Sequence, residues 1–185
     1  MPDGFALTGR RTGDSAGSRA RAGDVTCDGQ ADLLVSASHF DADGSDNGVV
    51  HVAAGPIVSD ASLDPGQARL LGNASSYSMG TQIELLPDVD GDGCAEVVVG
   101  MLGTQTGSGG AQASAVYILH GPLSGDMVLP ELGVSWTAAD VDDNTGVTLA
   151  AMPDATGDGL ADLLLGRGWH ELGRRQRDGR RVRPH

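Results

Sequence analysis

The 185-residue sequence predicts an all-β fold built from repeated four-stranded units, and three observations carry that reading. A nine-residue acidic loop followed by a short apolar run occurs three times in register. Glycine, at 29 of 185 residues, stands well above the average of about 7% and favours tight turns over long helices. The apolar runs are short and β-branched, as in EVVVG from Glu96 to Gly100, which fits buried strands bounded by turns.

The repeat is plain when DVTCDGQADLLV (Asp24 to Val35), DVDGDGCAEVVV (Asp88 to Val99) and DATGDGLADLLL (Asp154 to Leu165) are aligned, at spacings of 64 and then 66 residues. Gly17, Gly80 and Gly146 precede the loops by seven or eight residues, and Gly55-Pro56 recurs as Gly121-Pro122. In chain order, residues 1–12 are expected to be a disordered N-terminal segment. Residues 13–80 form a first unit with strands at Arg19 to Gly23, Ala31 to Ser38, Val49 to Ala54 and Ala68 to Leu71. Residues 81–146 form a second, with strands at Thr81 to Leu86, Ala95 to Met101, Ala115 to His120 and Val134 to Ala138. A third, residues 147–168, has Thr148 to Pro153 and Leu163 to Gly166 and then breaks off, leaving 169–185 as an arginine-rich tail expected to be disordered.

Four antiparallel strands in sixty-odd residues is the size of a propeller blade. So small a sheet cannot bury both faces by itself, so the units must stack. The expected fold is therefore a partial β-propeller of four-stranded antiparallel blades, two complete and a third truncated. Propellers close with about four to eight blades, so further blades or self-association are expected to complete it.

Charge divides unevenly. The net charge is −13, with seven arginines against Glu171 and Asp178 in residues 167–185, which leaves −18 for the rest. Such a body attracts cations and repels nucleic acid. For the basic tail, a nucleic-acid or anionic-lipid anchor stands beside a disordered, frame-shifted end. No run reaches the roughly 18 apolar residues of a membrane span, and the N-terminus lacks the apolar core of a signal peptide. Cys27 and Cys94 occupy different positions in two loops; a disulfide between them is left open.

The second loop, DVDGDGCAE, carries the chemistry. Asp88, Asp90 and Asp92 alternate, Gly91 and Gly93 let the backbone curl inward, and Glu96 stands at the ninth position. With a backbone carbonyl near Cys94, these residues offer the hard oxygens that Ca²⁺ takes. A twelve-residue helix-loop-helix site would require Glu at position 12, where this chain has Val99, and the run that follows reads as a strand. The loop therefore joins two strands.

A D-x-D-x-D-G-x-x-D/E loop before a small apolar strand, with Met79-Gly80 ahead of it, Val99-Gly100-Met101 after it and Ala115-Val116-Tyr117 beyond, resembles the FG-GAP repeats of integrin α-chain propellers. The resemblance covers residues 13 to 166. It implies one structural Ca²⁺ per loop, up to three in all, held by Asp88, Asp90, Asp92, the Cys94 carbonyl and Glu96; by Asp24, Thr26, Asp28, the Gln30 carbonyl and Asp32; and by Asp154, Thr156, Asp158, the Leu160 carbonyl and Asp162. Threonine at position 3 removes a charge from the outer two loops, so the middle site is expected to be tightest. The resemblance also implies an extracellular or cell-surface binding or adhesion protein with a protein or carbohydrate ligand on its face loops.

No catalytic residues are expected. His51 aligns with Tyr117 and reads as a packing residue, His120 aligns with Ala54, and no histidine recurs beside an acid and a nucleophile. FDADGSDNG (Phe40 to Gly48) is expected to be a hairpin tip. A propeller domain of a secreted hydrolase or lyase, and a non-functional truncated remnant, are the alternatives to a binding module.

Overall fold

The structure, a computed structural model, describes residues 4–41, 47–72, 77–103, 105–106, 110–111, 114–129, 134–137 and 145–167. The proposed tail 169–185 lies outside them, as does the centre of the FDADGSDNG stretch.

Every regular element among the described residues is a strand. The first part of the chain supplies β1 (Leu7–Thr8), β2 (Ala16–Gly23), β3 (Asp32–Ala37), β4 (Val49–Ala53), β5 (Ala61–Ser62) and β6 (Ala68–Gly72). The second supplies β7 (Tyr77–Leu86), β8 (Glu96–Gly103), β9 (Gln105–Thr106), β10 (Gly110–Ala111), β11 (Ala115–Leu119), β12 (Gly125–Leu129) and β13 (Val134–Thr137). The third supplies β14 (Thr145–Met152) and β15 (Asp162–Arg167). Strands β2, β3, β4 and β6 pair as an antiparallel meander, β7, β8, β11 and β13 pair as another, and β14 and β15 form a hairpin.

One pairing among the described residues crosses between units. Strand β12 adds in parallel to the free edge of β6 as a fifth strand, with Asp126 opposite Arg69. Arg69 grips Asp126 with two of its nitrogens, the Nε contact at 2.8 Å, and reaches Asp64 at 2.7 Å. Within the N-terminal segment expected to be disordered, Leu7 and Thr8 lie parallel to Ala61 and Ser62 of β5.

The stacking follows from the side-chain period of two. In β8, Val97 and Val99 enter a core shared with Leu34, Val50, Val52 and Leu70 of the first sheet, while Val98 turns the other way to Leu149, Leu163 and Leu165 of the third unit. All three valines are fully buried, because the second sheet is covered on both faces. A strand buried on both sides reads as an unbroken apolar run, which is why EVVVG lacks alternation. The outer faces differ: β2 is mostly exposed, and Leu160 and Leu164 are half exposed in the third unit.

The landmark glycines are bulges. Pairing shifts between Ala16 and Ala20, between Met79 and Gln82, and between Thr145 and Thr148, around Gly17, Gly80 and Gly146. Gly80 has φ 77°, and a Cβ there would stand 3.0 Å from both Ser36 Cβ and Val50 Cγ2 of the first sheet. Gly146, at φ 83°, abuts Val116 of the second sheet in the same manner. Strand β7 thus runs through Gly80, the residue at which the sequence reading divides the first two units.

Candidate metal centre

Each acidic loop begins where the first strand of its unit ends and closes at the start of the second. The turn is held by its own carboxylates. Asp88 accepts the Gly91 N–H at 2.6 Å and the Gly93 N–H at 2.9 Å, Asp90 accepts the Asp92 N–H at 3.2 Å, and Asp92 accepts the Cys94 N–H at 2.8 Å. The outer loops repeat the pattern. Asp24 takes the N–H groups of Asp28 and Gly29, and Asp28 takes that of Gln30. Asp154 takes those of Gly157, Asp158 and Gly159, and Asp158 takes that of Leu160. These amide donors, that of Gly159 foremost, hold the Asp154 carboxyl below its ordinary range.

The loops diverge at the ninth position. Asp32 is buried and satisfied: Oδ2 accepts from Val25 and Thr26, and Oδ1 from Gly55 at 3.0 Å. Asp162 Oδ2 accepts from Ala155 and Thr156, and Thr156 Oγ1 donates to Oδ1 at 3.4 Å. The longer Glu96 does otherwise. It is fully buried, its Oε2 accepts the Val89 N–H at 3.1 Å, and its Oε1 has no hydrogen-bond partner. Burial foremost, with the nearby Asp90 charge adding to it, pushes the Glu96 carboxyl above its ordinary range, against the pull of its amide donors and His120.

That unsatisfied oxygen lies in the densest acidic cluster among the described residues. Ligand atoms of Asp88, Asp90, Asp92 and Glu96 all fall within 4.8 Å of one another. The metal-competent groups among the described residues all gather at the second loop. A buried carboxylate with one oxygen left without a hydrogen-bond donor, beside three more acids, fits a divalent cation, and the residues that would hold one are those four. The Thr26 hydroxyl of the first loop is likewise buried without a partner.

Two neighbours were not assigned to the site from sequence. His120, the residue after β11, places Nδ1 2.9 Å from Asp90 Oδ2 and 3.6 Å from Glu96 Oε1. The signal was the hairpin register: Leu119 pairs with Val97, which sets residue 120 opposite Glu96. The alignment with Ala54 hid it, because the first unit has no imidazole there. The other is the disulfide between Cys27 and Cys94, with Cα atoms 5.1 Å apart, which joins the first loop to the second. Backbone bonds run alongside it, from Ala95 N–H to the Asp24 carbonyl and from Leu123 N–H to the Val25 carbonyl, each 2.8 Å.

His51 occupies a packing place in the third strand, buried and edge-to-face with Phe40 at 5.6 Å between ring centres. It pairs with Val35 as Tyr117 pairs with Val99, so the two residues are structural equivalents.

No protein-family model matches the chain. The chain is 29% identical over 172 residues to integrin alpha-X of Homo sapiens, an alignment covering 86% of this chain. The chain spans 14% of that protein's length. It is thus similar to part of an integrin α chain along most of its own extent.

Proposed function

We propose that this chain is a calcium-binding module of FG-GAP type, a set of β-propeller blades belonging to a larger extracellular or cell-surface binding or adhesion protein. The observation that carries the reading is the convergence of Asp88, Asp90, Asp92 and the unsatisfied, buried Glu96 in a loop between two strands of a stacked sheet. The likeness to integrin alpha-X and the disulfide, at home in an oxidising compartment, support the location.

The propeller geometry is supported by contacts between equivalent positions. Arg21 of β2 binds Glu84 of β7 through two bonds of 2.8 and 3.0 Å, and Arg19 reaches Gln82 at 3.3 Å. Each pair is 63 residues apart, the spacing of Gly17 and Gly80 in the same two strands. Gly80 against Val50 and Gly146 against Val116 form a second such set, each 66 residues from its counterpart. A contact repeated from one unit to the next supports the reading of the units as blades.

The ion's role here is structural: it neutralises acids that crowd together only in the folded chain, so binding and folding are linked. The middle site binds tightest, because the outer loops replace a carboxylate with Thr26 and Thr156. Ligands, protein or carbohydrate, are met by loops of the blade faces, and the module performs no catalysis. Calcium calorimetry with melting in chelator tests this. Heat of binding, with a transition several degrees lower in chelator, is expected; no heat and an unshifted transition would overturn it.

A further inference from the structure

The imidazole of His120 changes what the second loop can hold. Calcium takes oxygen ligands, whereas a ring nitrogen beside carboxylates is the donor mixture of first-row divalent ions such as zinc. His120 Nδ1, Asp90 and Glu96 have ligand atoms within 4.8 Å of one another, and His120 and Asp90 are each about two-fifths exposed, so an ion can reach them from solvent. Glu96 is the independent sign of a ligand site: wholly buried, with Oε1 lacking a hydrogen-bond partner and lying 3.6 Å from Nδ1.

We infer that the second loop is a dual-specificity centre, at which His120, Asp90 and Glu96 bind a zinc-type divalent ion in competition with calcium. This rests on the reading of the second loop as a cation site and goes beyond it in ion class and in the residue that selects it. Two overlapping ligand sets share two members. Asp88, Asp90, Asp92 and Glu96 form an all-oxygen set, and His120, Asp90 and Glu96 form a nitrogen-and-oxygen set. Because Asp90 and Glu96 serve both, the two ions exclude each other.

The neighbouring sulfurs do not provide the zinc ligands. Cys27, Cys94 and Asp92 also lie together, but the two cysteines are joined as a disulfide and offer no thiolate. The first loop lacks the second set altogether, with Ala54 at the place of His120 and Asp32 satisfied by three backbone N–H groups. Among the described residues the nitrogen-and-oxygen set thus occurs at the second loop, and Ala54 shows alanine accommodated at the equivalent place in the first unit.

The test uses the full, oxidised chain without reductant, titrated separately with Zn²⁺ and Ca²⁺ by calorimetry, with His120→Ala beside the wild type. Zinc affinity is expected to fall at least tenfold in His120→Ala while calcium affinity stays within threefold, and added calcium is expected to raise the apparent zinc Kd of the wild type. In the wild type, zinc is expected to move the Nδ1 nitrogen resonance of His120, a readout independent of any variant. Unchanged zinc affinity in His120→Ala, or an unmoved His120 resonance in zinc-loaded wild type, overturns the inference. Calcium binding without zinc binding overturns it and leaves the calcium module standing. Zinc binding without calcium binding overturns the dual specificity and the calcium module together.

Discussion

Replacing Glu96 with Gln should remove most of the protein's dependence on cations. The carboxyl is buried and its folded-state pKa is raised. A raised pKa favours the protonated form, so its contribution is fully present below the unfolded value and is lost as pH rises through the folded one. Without metal the ionised form is therefore disfavoured in the folded chain, and leaving a buried acceptor unsatisfied costs about 1–3 kcal/mol. Gln retains an oxygen for the Val89 N–H and presents a neutral amide donor to the acids, removing that cost. At about 2–4 °C per kcal/mol for a chain of this size, Glu96→Gln should melt about 2–12 °C above wild type in chelator. Calcium at a hundredfold over Kd stabilises a binding protein by about 2.7 kcal/mol, or about 5–11 °C, and the variant should lose most of this gain. Differential scanning calorimetry in chelator and in calcium reads both effects. A variant that melts below wild type in chelator, or keeps the full calcium shift, would refute the reasoning.

Three further outcomes follow from other parts of the fold. Replacing Cys27 and Cys94 together with serine opens a cross-link across 67 residues; loop entropy puts the loss near 4 kcal/mol, seen as a lower urea midpoint, and an unchanged midpoint would contradict it. Gly80→Ala places a side chain in the left-handed region against Ser36 and Val50 and should cost at least about 1–2 kcal/mol from backbone strain alone, measurable by denaturant titration. Burial foremost, aided by Arg69 and opposed by Asp64, depresses the pKa of His51. Its contribution is present above the unfolded value of about 6.5 and is lost as pH falls through the folded value, with a slope of at most about 1.4 kcal/mol per pH unit. Melting temperatures from pH 8 to 5 should fall less steeply in His51→Tyr.

The parts legible from sequence were those the repeat wrote several times. Strand ends came within a few residues because each acidic loop marks the junction of a first and second strand, and the equivalence of His51 with Tyr117, read from the aligned repeats, holds in the hairpin register. Gly17, Gly80 and Gly146 were visible as landmarks, but their role as bulges needed the pairing shifts around them. What stayed hidden arises between units or occurs once. The Cys27–Cys94 link joins different positions of two loops and becomes a neighbour relation only after the sheets stack. His120 was discounted because its counterpart is Ala54, although a feature unique to one copy is where a repeat specialises. Strands β1 and β12 pair with partners more than fifty residues away and carry too little local pattern to announce themselves.

The placement of β12 bears on modularity. By chain it belongs to the second unit, yet its ladder and the Arg69–Asp126 pair belong to the first sheet. The joint between repeats is thus lapped, like roof tiles, and the interval at which the sequence recurs is not the interval at which the molecule comes apart. A protease cut or an expression boundary placed at the repeat would strip an edge from one sheet and leave a loose strand on the other. Units built this way are expected to melt and refold together.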